Sequence, residues 1–275
     1  MKCRRYVVSD LSIRKVAVAN RGEIALRIIR AAKELGIKCV ALYSEPDKDS
    51  IAVDIADEAF CIGPGPSLYS YLNIANIISA ALVSGADAIH PGYGFLAENP
   101  YFAEICSSHG IKFIGPTNDV MDSIGSKAAA KNIMENYGVN VIPGTRDAIK
   151  NIEEAKAFVD EYGFPVMIKA VTGGGGKGMR IAYDPKELVE CVKFAQAEAE
   201  AAFGMPGVYL ERYFKNAKHV EVQILADEHG YAVHLGERDC SVQRGHQKLV
   251  EESPCPVFNE DIRKAITKTA LKCVG

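Results

Sequence analysis

A glycine-rich segment near the middle of the chain has the composition of an anion-binding backbone. Residues 173–176 are four consecutive glycines, and Lys177 and Gly178 follow them. Such a run costs backbone entropy, but it permits positive φ angles and lets backbone N–H groups approach an anion closely. The alternative interpretation is a flexible hairpin tip that binds no ligand. A Walker loop is excluded, because Val171 stands where its first glycine would be and Gly178 where Ser or Thr would be.

Two lysines border this segment in the sequence. Lys169 ends the predicted strand that leads into the glycines, and Lys127 begins a predicted helix after Gly125. An ammonium group at either position can neutralise phosphate oxygens as a point charge. Taken singly, a lysine at either position is more often a solvated surface residue than a phosphate ligand.

A polar face is predicted on one strand in the second half of the chain. Three polar residues, His219, Glu221 and Gln223, alternate with the aliphatic residues Val220, Val222 and Ile224. A period of two places the polar side chains on one face of the strand and the aliphatic ones in the core. The polar face then either lines a site or faces solvent.

Residues 237–248 combine ionisable and amide side chains at high density. The segment contains Glu237, Arg238, Asp239, Gln243, His246 and Lys248. We interpret it as a loop, because it is too polar for a core and too irregular for a surface helix. Its cations and amides make it a candidate anion site, with a solvated charged loop as the alternative.

The first half of the chain alternates strand and helix patterns. Short apolar runs precede helices with apolar residues at helical spacing, and glycines follow the helices. The predicted strands are 15–19, 37–43, 86–89 and 111–114, and the predicted helices are 23–35, 71–83 and 97–107. This alternation predicts a parallel α/β sheet. Its first strand–helix turn has one glycine, Gly22, where a Rossmann motif needs three.

The second half of the chain has a different pattern, beginning at a boundary near residues 115–126. The predicted helices are 126–137, 152–162, 186–202 and 261–274, and the predicted strands 165–170 and 179–182 flank the glycines as a hairpin. From Val208 onward the sequence is strongly β-forming.

The composition excludes several classes of function. A net charge of −3 over 275 residues gives no bulk attraction to nucleic acid or to an anionic membrane. No apolar run approaches the roughly 18 residues of a membrane span, and the N-terminus has no apolar stretch typical of a secretory signal. The eight cysteines contain no CxxC pair, which favours reduced thiols in a cytoplasmic protein over a zinc site.

Five motifs in register resemble the biotin carboxylases. They are VANRGEIALRIIRAAKELGI, AIHPGYGFLAENPYFAE, FIGP, IKAVTGGGGKGM and ERDCSVQRGHQK, and the likeness runs from about Arg14 to Gly275. The resemblance implies an N-terminal parallel α/β (pre-ATP-grasp) domain over 14–124. An ATP-grasp domain over 125–275 is expected to follow, with a glycine-rich lid subdomain at about 140–210. Because family members continue well past this point, that domain is expected to be truncated at its C-terminal end.

The same resemblance assigns residues to ligands. It places ATP against Lys127, Lys169, Gly175, Gly176, Glu211, Arg212, Tyr213, Phe214, His219, Gln243 and His246. Lys248 becomes the catalytic cation on the bicarbonate side, and Arg27, Arg30 and Glu34 lie on a helix that in relatives helps form a subunit interface. The metal ligands are unassigned, because the family's acidic metal ligands lie beyond residue 275.

The activity implied by the resemblance is ATP-dependent carboxylation of biotin on a biotin carboxyl carrier protein, with bicarbonate as carbon source and carboxyphosphate as intermediate. Mg²⁺ is implied because it clamps the phosphates. The implied partners are the carrier protein, a second copy in a homodimer and a carboxyltransferase subunit, most simply within acetyl-CoA carboxylase of fatty acid biosynthesis. The chain by itself is expected to be inactive. The alternatives are another ATP-grasp ligase and a catalytically silent nucleotide-binding module.

Overall fold

The computed structural model describes residues 13–124, 127–171, 179–227, 229–244 and 247–274, with all their side chains except those of residues 127–129, 202, 203 and 274. The chain divides between Ser126 and Lys127 into two compact units. Within the described ranges, no helix is long and apolar enough to cross a membrane.

The first unit is built on a five-stranded parallel sheet. Its strands are β1 (Lys15–Val18), β2 (Lys38–Ser44), β3 (Glu58–Gly63), β4 (Ala88–His90) and β5 (Lys112–Phe113), and its helices are α1 (Gly22–Glu34), α2 (Ile51–Ile55), α3 (Ile74–Ser84), α4 (Pro100–Ser108) and α5 (Asn118–Ile124). The strand order is β3-β2-β1-β4-β5, and every pairing is parallel. The prediction of a parallel α/β sheet is confirmed.

Two helices of the first unit begin three residues later than the sequence pattern predicts. The Asn73 side chain accepts a hydrogen bond from the Asn76 N–H and so starts α3, while Asn99 does the same for Phe102 at the start of α4. Tyr71, predicted to lie in α3, is instead fully buried, and its hydroxyl donates to Asp47. Caps therefore outweigh apolar spacing in setting these helix starts.

The second unit contains two three-stranded antiparallel sheets. Its strands are β6 (Val166–Ala170), β7 (Met179–Ala182), β8 (Val208–Arg212), β9 (Val220–Ala226), β10 (Ala232–Arg244) and β11 (Gln247–Glu252), and its helices are α6 (Lys127–Asn136), α7 (Ile152–Tyr162), α8 (Pro185–Phe203) and α9 (Glu260–Leu271). One sheet has the order β7-β6-β8 and the other β11-β10-β9. Strands β6 and β7 pair as predicted on either side of the glycine segment.

The apolar core of the second unit lies on one face of β6 and β8. Burial alternates along β6, so that Val166, Ile168 and Ala170 point into the core and the intervening residues do not. Leu210 of β8 and Leu188 of α8 complete this layer. Because a strand alternates its side chains, the opposite face of the same strands is left to carry polar groups.

The prediction that residues 237–248 form a loop is wrong. Most of this segment lies in β10 and β11, which pair with each other, and β10 pairs on its other side with β9. The polar density is tolerated because the buried carboxylates have partners. Glu237 accepts from Arg263 of α9 at 2.7 Å, and Asp239 accepts from the Ser241 N–H at 2.9 Å.

The aliphatic residues of β9 are less buried than their alternation predicts. Val220, Val222 and Ile224 are half-buried and do not belong to the described apolar clusters. Further large apolar side chains of this sheet are exposed, among them Leu225, Val233 and Leu235. Alternation alone fixes which side chains share a face, but it does not fix what covers that face.

Candidate functional site

Lys169 and Glu211 meet on the polar face of the β7-β6-β8 sheet. In the register of β6 and β8, Met167 lies opposite Glu211 and Lys169 lies opposite Tyr209. Lys169 and Glu211 are therefore diagonal neighbours, which long side chains can bridge. The Lys169 ammonium contacts the Oε2 atom of Glu211. The strand alternation that buries Ile168 thus aims Lys169 at this carboxylate.

A second lysine reaches the same carboxylate from helix α6. The Lys131 ammonium contacts the Oε1 atom of Glu211 and lies 3.4 Å from the carbonyl oxygen of Ile142. Lys131 was not among the residues predicted from the sequence, although its position four residues after Lys127 places both lysines on one face of a helix. We call Lys131, Lys169 and Glu211 the Glu211 centre.

Glu211 remains ionised despite its burial. Only 5% of the residue is exposed. Burial of the carboxyl works to raise its pKa, but the hydrogen bonds from Lys131 and Lys169 outweigh it, so the pKa lies below its ordinary value. Two cations and one anion leave a surplus positive charge at the Glu211 centre, which suits a phosphate ligand.

The connection after β8 leaves the Glu211 centre directly. The Arg212 N–H donates to the Pro143 carbonyl at 2.9 Å, and the Tyr213 N–H donates to the Pro165 carbonyl at 3.0 Å. The Arg212 guanidinium lies 5.3 Å from the ring centroid of Phe214. These contacts hold the backbone of residues 212–214 beside the carboxylate, and Phe214 is an exposed aromatic residue of this connection.

A second carboxylate held by two cations lies on the other sheet. Arg238 of β10 is directly opposite Glu221 of β9, and its Nε donates to Oε1 at 2.7 Å. The Lys248 ammonium contacts the other oxygen, Oε2. The bond from Lys248 is the main reason that the pKa of Glu221 falls to about 2, with a further contribution from Arg238. We call Glu221, Arg238 and Lys248 the Glu221 centre.

Two of the residues assigned to the nucleotide are in contact on the β11-β10-β9 sheet. The Gln243 amide lies 2.7 Å from Nδ1 of His219 and donates to the Cys240 carbonyl at 2.8 Å. The Cys240 N–H donates to the His219 carbonyl at 2.7 Å. Because an amide N–H donates, Nδ1 of His219 is the acceptor in this contact.

Some assigned residues lie outside the described part of the chain. Gly175, Gly176 and His246 are among them. Lys127 begins α6, and its side chain lies outside the described residues as well.

The three residues assigned to an interface occupy one exposed stripe of α1. Arg27, Arg30 and Glu34 are all exposed. The opposite side of the helix is buried through Ala25, Ile28, Ile29 and Ala32. The spacing of the stripe is three and four residues, as expected for one helix face.

One group of side chains within the described ranges has the spacing of a metal site. Ligand atoms of Glu221, Cys240 and Glu251 lie within 4.8 Å of one another. Glu221 is already held by two cations, and Arg238 also lies 3.6 Å from Glu251. Burial raises the pKa of the Cys240 thiol, and Mg²⁺ requires oxygen ligands. This group therefore does not fit magnesium.

The first unit contains a crevice that no sequence pattern predicted. It has a volume of about 530 Å³ and lies at the carboxyl ends of β1 and β4, where the strand order reverses. The side chain of buried Asn20 fixes the segment that follows β4 by donating to the carbonyls of Pro91 and Tyr93 at 2.7 and 2.8 Å. The lining charges pair locally, since Arg21 lies 3.8 Å from Asp47 and Glu23 accepts from Tyr93. The crevice thus lacks the surplus charge of the Glu211 centre.

Comparisons with known proteins agree on one family. Residues 12–121 match the model of the biotin carboxylase N-terminal domain, and residues 126–275 match the ATP-binding domain of the carbamoyl-phosphate synthase L chain. The chain is 54% identical over 260 residues to biotin carboxylase 1 of Bacillus subtilis, and this match covers 94% of the chain and 58% of the relative. It is 49% identical over 259 residues to a pyruvate carboxylase subunit of Methanothermobacter thermautotrophicus, covering 94% of the chain and 52% of that protein.

Solved structures give the same result. The chain superimposes on the biotin carboxylase from Campylobacter jejuni, a β,γ-ATP complex, with a TM-score of 0.87 and 48% identity, over 95% of the chain and 59% of that structure. The biotin carboxylase domain dimer of Hydrogenobacter thermophilus 2-oxoglutarate carboxylase was solved with MgADP, ADP and bicarbonate. The chain superimposes on it with a TM-score of 0.85 and 48% identity, over 96% of the chain and 58% of that structure. The chain spans rather more than half the length of these relatives. The ATP-grasp fold expected after the parallel α/β domain is confirmed, and the chain belongs to the biotin carboxylase family.

Proposed function

We propose that the protein containing this chain catalyses ATP-dependent carboxylation of biotin, and that the Glu211 centre binds the nucleotide. One observation carries the proposal. Lys169, the penultimate residue of the strand that leads to the glycine segment, lies beside a buried carboxylate with a surplus cation, next to the 211–214 connection. The family's solved structures include nucleotide complexes, which supports the same assignment here.

In the proposed site each group has a separate task. Lys169 and Lys127 neutralise phosphate oxygens, and the backbone of Gly175 and Gly176 approaches the phosphates. Residues 211–214 receive the adenine, with Phe214 providing an apolar surface. His219, Gln243 and His246 contact the nucleotide from the other sheet. The contact between Gln243 and His219 fixes the orientation of the imidazole ring.

The proposed reaction begins with attack of a bicarbonate oxygen on the γ-phosphorus of ATP, which breaks the bond to the β-phosphate oxygen and releases ADP. The resulting carboxyphosphate releases inorganic phosphate as its carboxyl carbon passes to N1′ of biotin, and the proton of N1′ leaves with the phosphate. Lys248 is the proposed cation on the bicarbonate side. Glu221 holds this ammonium in place, and the protein contributes chiefly positioning and charge neutralisation.

Mg²⁺ is proposed as the cation that accompanies ATP. When bound, it neutralises charge between phosphate oxygens. The group formed by Glu221, Cys240 and Glu251 does not fit it, as shown above, and the resemblance places the family's metal carboxylates beyond residue 275. We propose therefore that the 275-residue polypeptide, assayed by itself, binds nucleotide but does not carboxylate biotin.

The proposed setting is a cytoplasmic acetyl-CoA carboxylase of fatty acid biosynthesis. The proposed partners are a biotin carboxyl carrier protein, a second copy bound through the α1 stripe of Arg27, Arg30 and Glu34, and a carboxyltransferase subunit. The support is the number of relatives named as biotin carboxylases and the exposure of that stripe. Carboxyl transfer assays with acetyl-CoA and with pyruvate would distinguish this setting from that of the pyruvate carboxylase relatives.

Isotope transfer tests the proposed activity. The protein that carries this sequence is incubated with labelled bicarbonate, ATP, Mg²⁺ and free biotin, and acid-labile label on biotin is counted. We expect incorporation that depends on ATP, with one ADP released for each carboxyl transferred. Bicarbonate-dependent ADP release with ammonia but without biotin would indicate a carbamoyl-phosphate type of ligase. Nucleotide binding without turnover would indicate a silent binding module.

A further inference from the structure

The Glu211 centre holds more positive charge than its own carboxylate can offset. Each oxygen of Glu211 has its own lysine, Lys131 on Oε1 and Lys169 on Oε2. The side chains of both lysines are about one-quarter exposed, at 28% and 24%, while the Glu211 side chain is 7% exposed. The carboxylate is therefore the buried member, and the two ammonium groups lie between it and solvent.

A ligand phosphate can attract one of these lysines away from Glu211 while the other lysine keeps its contact with the carboxylate. A buried carboxylate that loses all its cations is strongly destabilised, because it has left water and gains nothing in return. If Lys169 were the single partner of Glu211, its movement toward phosphate would leave the carboxylate unpaired. With Lys131 present, one charge-assisted hydrogen bond to Glu211 persists after Lys169 has moved.

The fold places Lys131 for this role through several independent contacts. The chain segment after α6 runs beside β8, since the Thr145 N–H donates to the Leu210 carbonyl at 2.9 Å and Gly144 forms a bridge with Glu211. A Cβ atom at Gly144 would lie 2.8 Å from the Leu210 carbonyl oxygen and 3.3 Å from the Lys131 Nζ. Glycine at this position thus leaves space for the Lys131 ammonium against β8.

We propose that Lys131 is a positioning residue of the nucleotide site, which holds the Glu211 carboxylate so that Lys169 is released to the phosphate oxygens of a bound nucleotide. This inference rests on the proposed function. Lys131 itself does not touch the nucleotide in this account. It acts through Glu211, and its contribution appears only when Lys169 exchanges one anion for another.

Nucleotide affinity with and without the Glu211 charge tests the inference. ADP is titrated calorimetrically into the 275-residue chain and into the variants Lys131→Met, Lys131→Arg and Glu211→Gln, and into the double variant that combines Lys131→Met with Glu211→Gln. We expect Lys131→Met to weaken ADP binding by about tenfold and Lys131→Arg to restore most of it, since arginine also bonds a carboxylate. In the Glu211→Gln background, Lys131→Met should have less than a twofold effect.

The matched control is Lys156→Met, which removes an exposed lysine of α7 whose partner is Glu153. It should leave ADP affinity unchanged. Urea unfolding of each variant shows whether it folds, and Lys131→Gln replaces Lys131→Met if the latter does not. Full ADP affinity in a folded Lys131→Met or Lys131→Gln variant would overturn the inference.

Two further results would also overturn it. An equal loss in the Glu211→Gln background would show that Lys131 contacts the nucleotide directly. Failure of the unsubstituted chain to bind ADP would refute the proposed nucleotide site itself, which separates that failure from failure of the Lys131 inference alone.

Discussion

The Glu211 centre and the Glu221 centre are both a carboxylate held between two cations, yet they differ in burial and in how the cations are supplied. The Glu211 side chain is 7% exposed and the Glu221 side chain is 25% exposed. Lys131 and Lys169 come from a helix and a strand that are both distant from Glu211 in the sequence. Arg238, in contrast, is the direct cross-strand neighbour of Glu221. Similar pairings therefore carry different energetic consequences.

The difference shows that burial, more than the number of ion pairs, decides what a charged cluster contributes. An exposed pair gains little because water already solvates both partners. A buried carboxylate depends on its cations, because removing either partner of the pair leaves the other as an uncompensated charge. Loss of a charged partner should therefore destabilise the Glu211 centre more than the Glu221 centre. The surplus cation of the Glu211 centre is also better suited to a phosphate.

The largest predicted effect follows from removing the buried charge. Glu211→Gln keeps the shape of the side chain but leaves Lys131 and Lys169 without an anion, so we expect the free energy of unfolding to fall by about 2–4 kcal/mol. Glu221→Gln is the matched control at the more exposed centre and should lower the free energy of unfolding by less than Glu211→Gln does, because water solvates its charged groups. Urea denaturation with unchanged m-values measures both. Equal losses would refute the comparison.

Acid unfolding gives a second, intermediate effect at the Glu221 centre. The folded pKa of Glu221 is about 2, below its ordinary value of 4.5. A depressed folded pKa contributes stability that is present above the unfolded pKa and lost as pH falls through the folded pKa. We expect the unsubstituted chain to lose more stability between pH 4.5 and 2 than Glu221→Gln does. Parallel acid titration curves for the two proteins would contradict the assigned pairing.

The smallest predicted effect concerns the outer carboxylate near Arg238. The Glu251 side chain is 44% exposed, and its Oε2 lies 3.6 Å from the Arg238 Nε. Glu251→Gln should change the free energy of unfolding by less than about 0.5 kcal/mol, and this small change should vanish in high salt. A loss as large as that of Glu221→Gln would show that Glu251 is the principal partner of Arg238.

Much of the fold could be predicted from sequence patterns because those patterns are local. Strand–helix alternation before residue 115 predicts the parallel sheet, and apolar residues on either side of the glycine segment predict the β6–β7 hairpin. Strand β3 was missed although residues 59–62 are apolar, and the structure shows it to be an edge strand in which only Ile62 is buried. The starts of α3 and α4 were predicted three residues too early. A single capping side chain, Asn73 or Asn99, decides where each helix begins.

The charged centres could be predicted only in part. Lys169, Glu211, Glu221 and Lys248 were identified singly, but no sequence pattern states that the first two pair across β6 and β8 or that the last two pair on the other sheet. These contacts depend on strand register, which is set by the whole sheet. Lys131 was missed for the same reason, since its partner is 80 residues away in the sequence.

Nucleotide affinity at the two centres is the most direct test of the central claim that the Glu211 centre binds ATP. ADP is titrated into the unsubstituted chain, Lys169→Gln and Lys248→Gln, with folding checked by circular dichroism. We predict that Lys169→Gln weakens binding by about 1–3 kcal/mol, because a charge-assisted phosphate contact is lost, and that Lys248→Gln stays within twofold of the unsubstituted chain. Unchanged affinity in Lys169→Gln, or an equal loss in Lys248→Gln, would contradict the account.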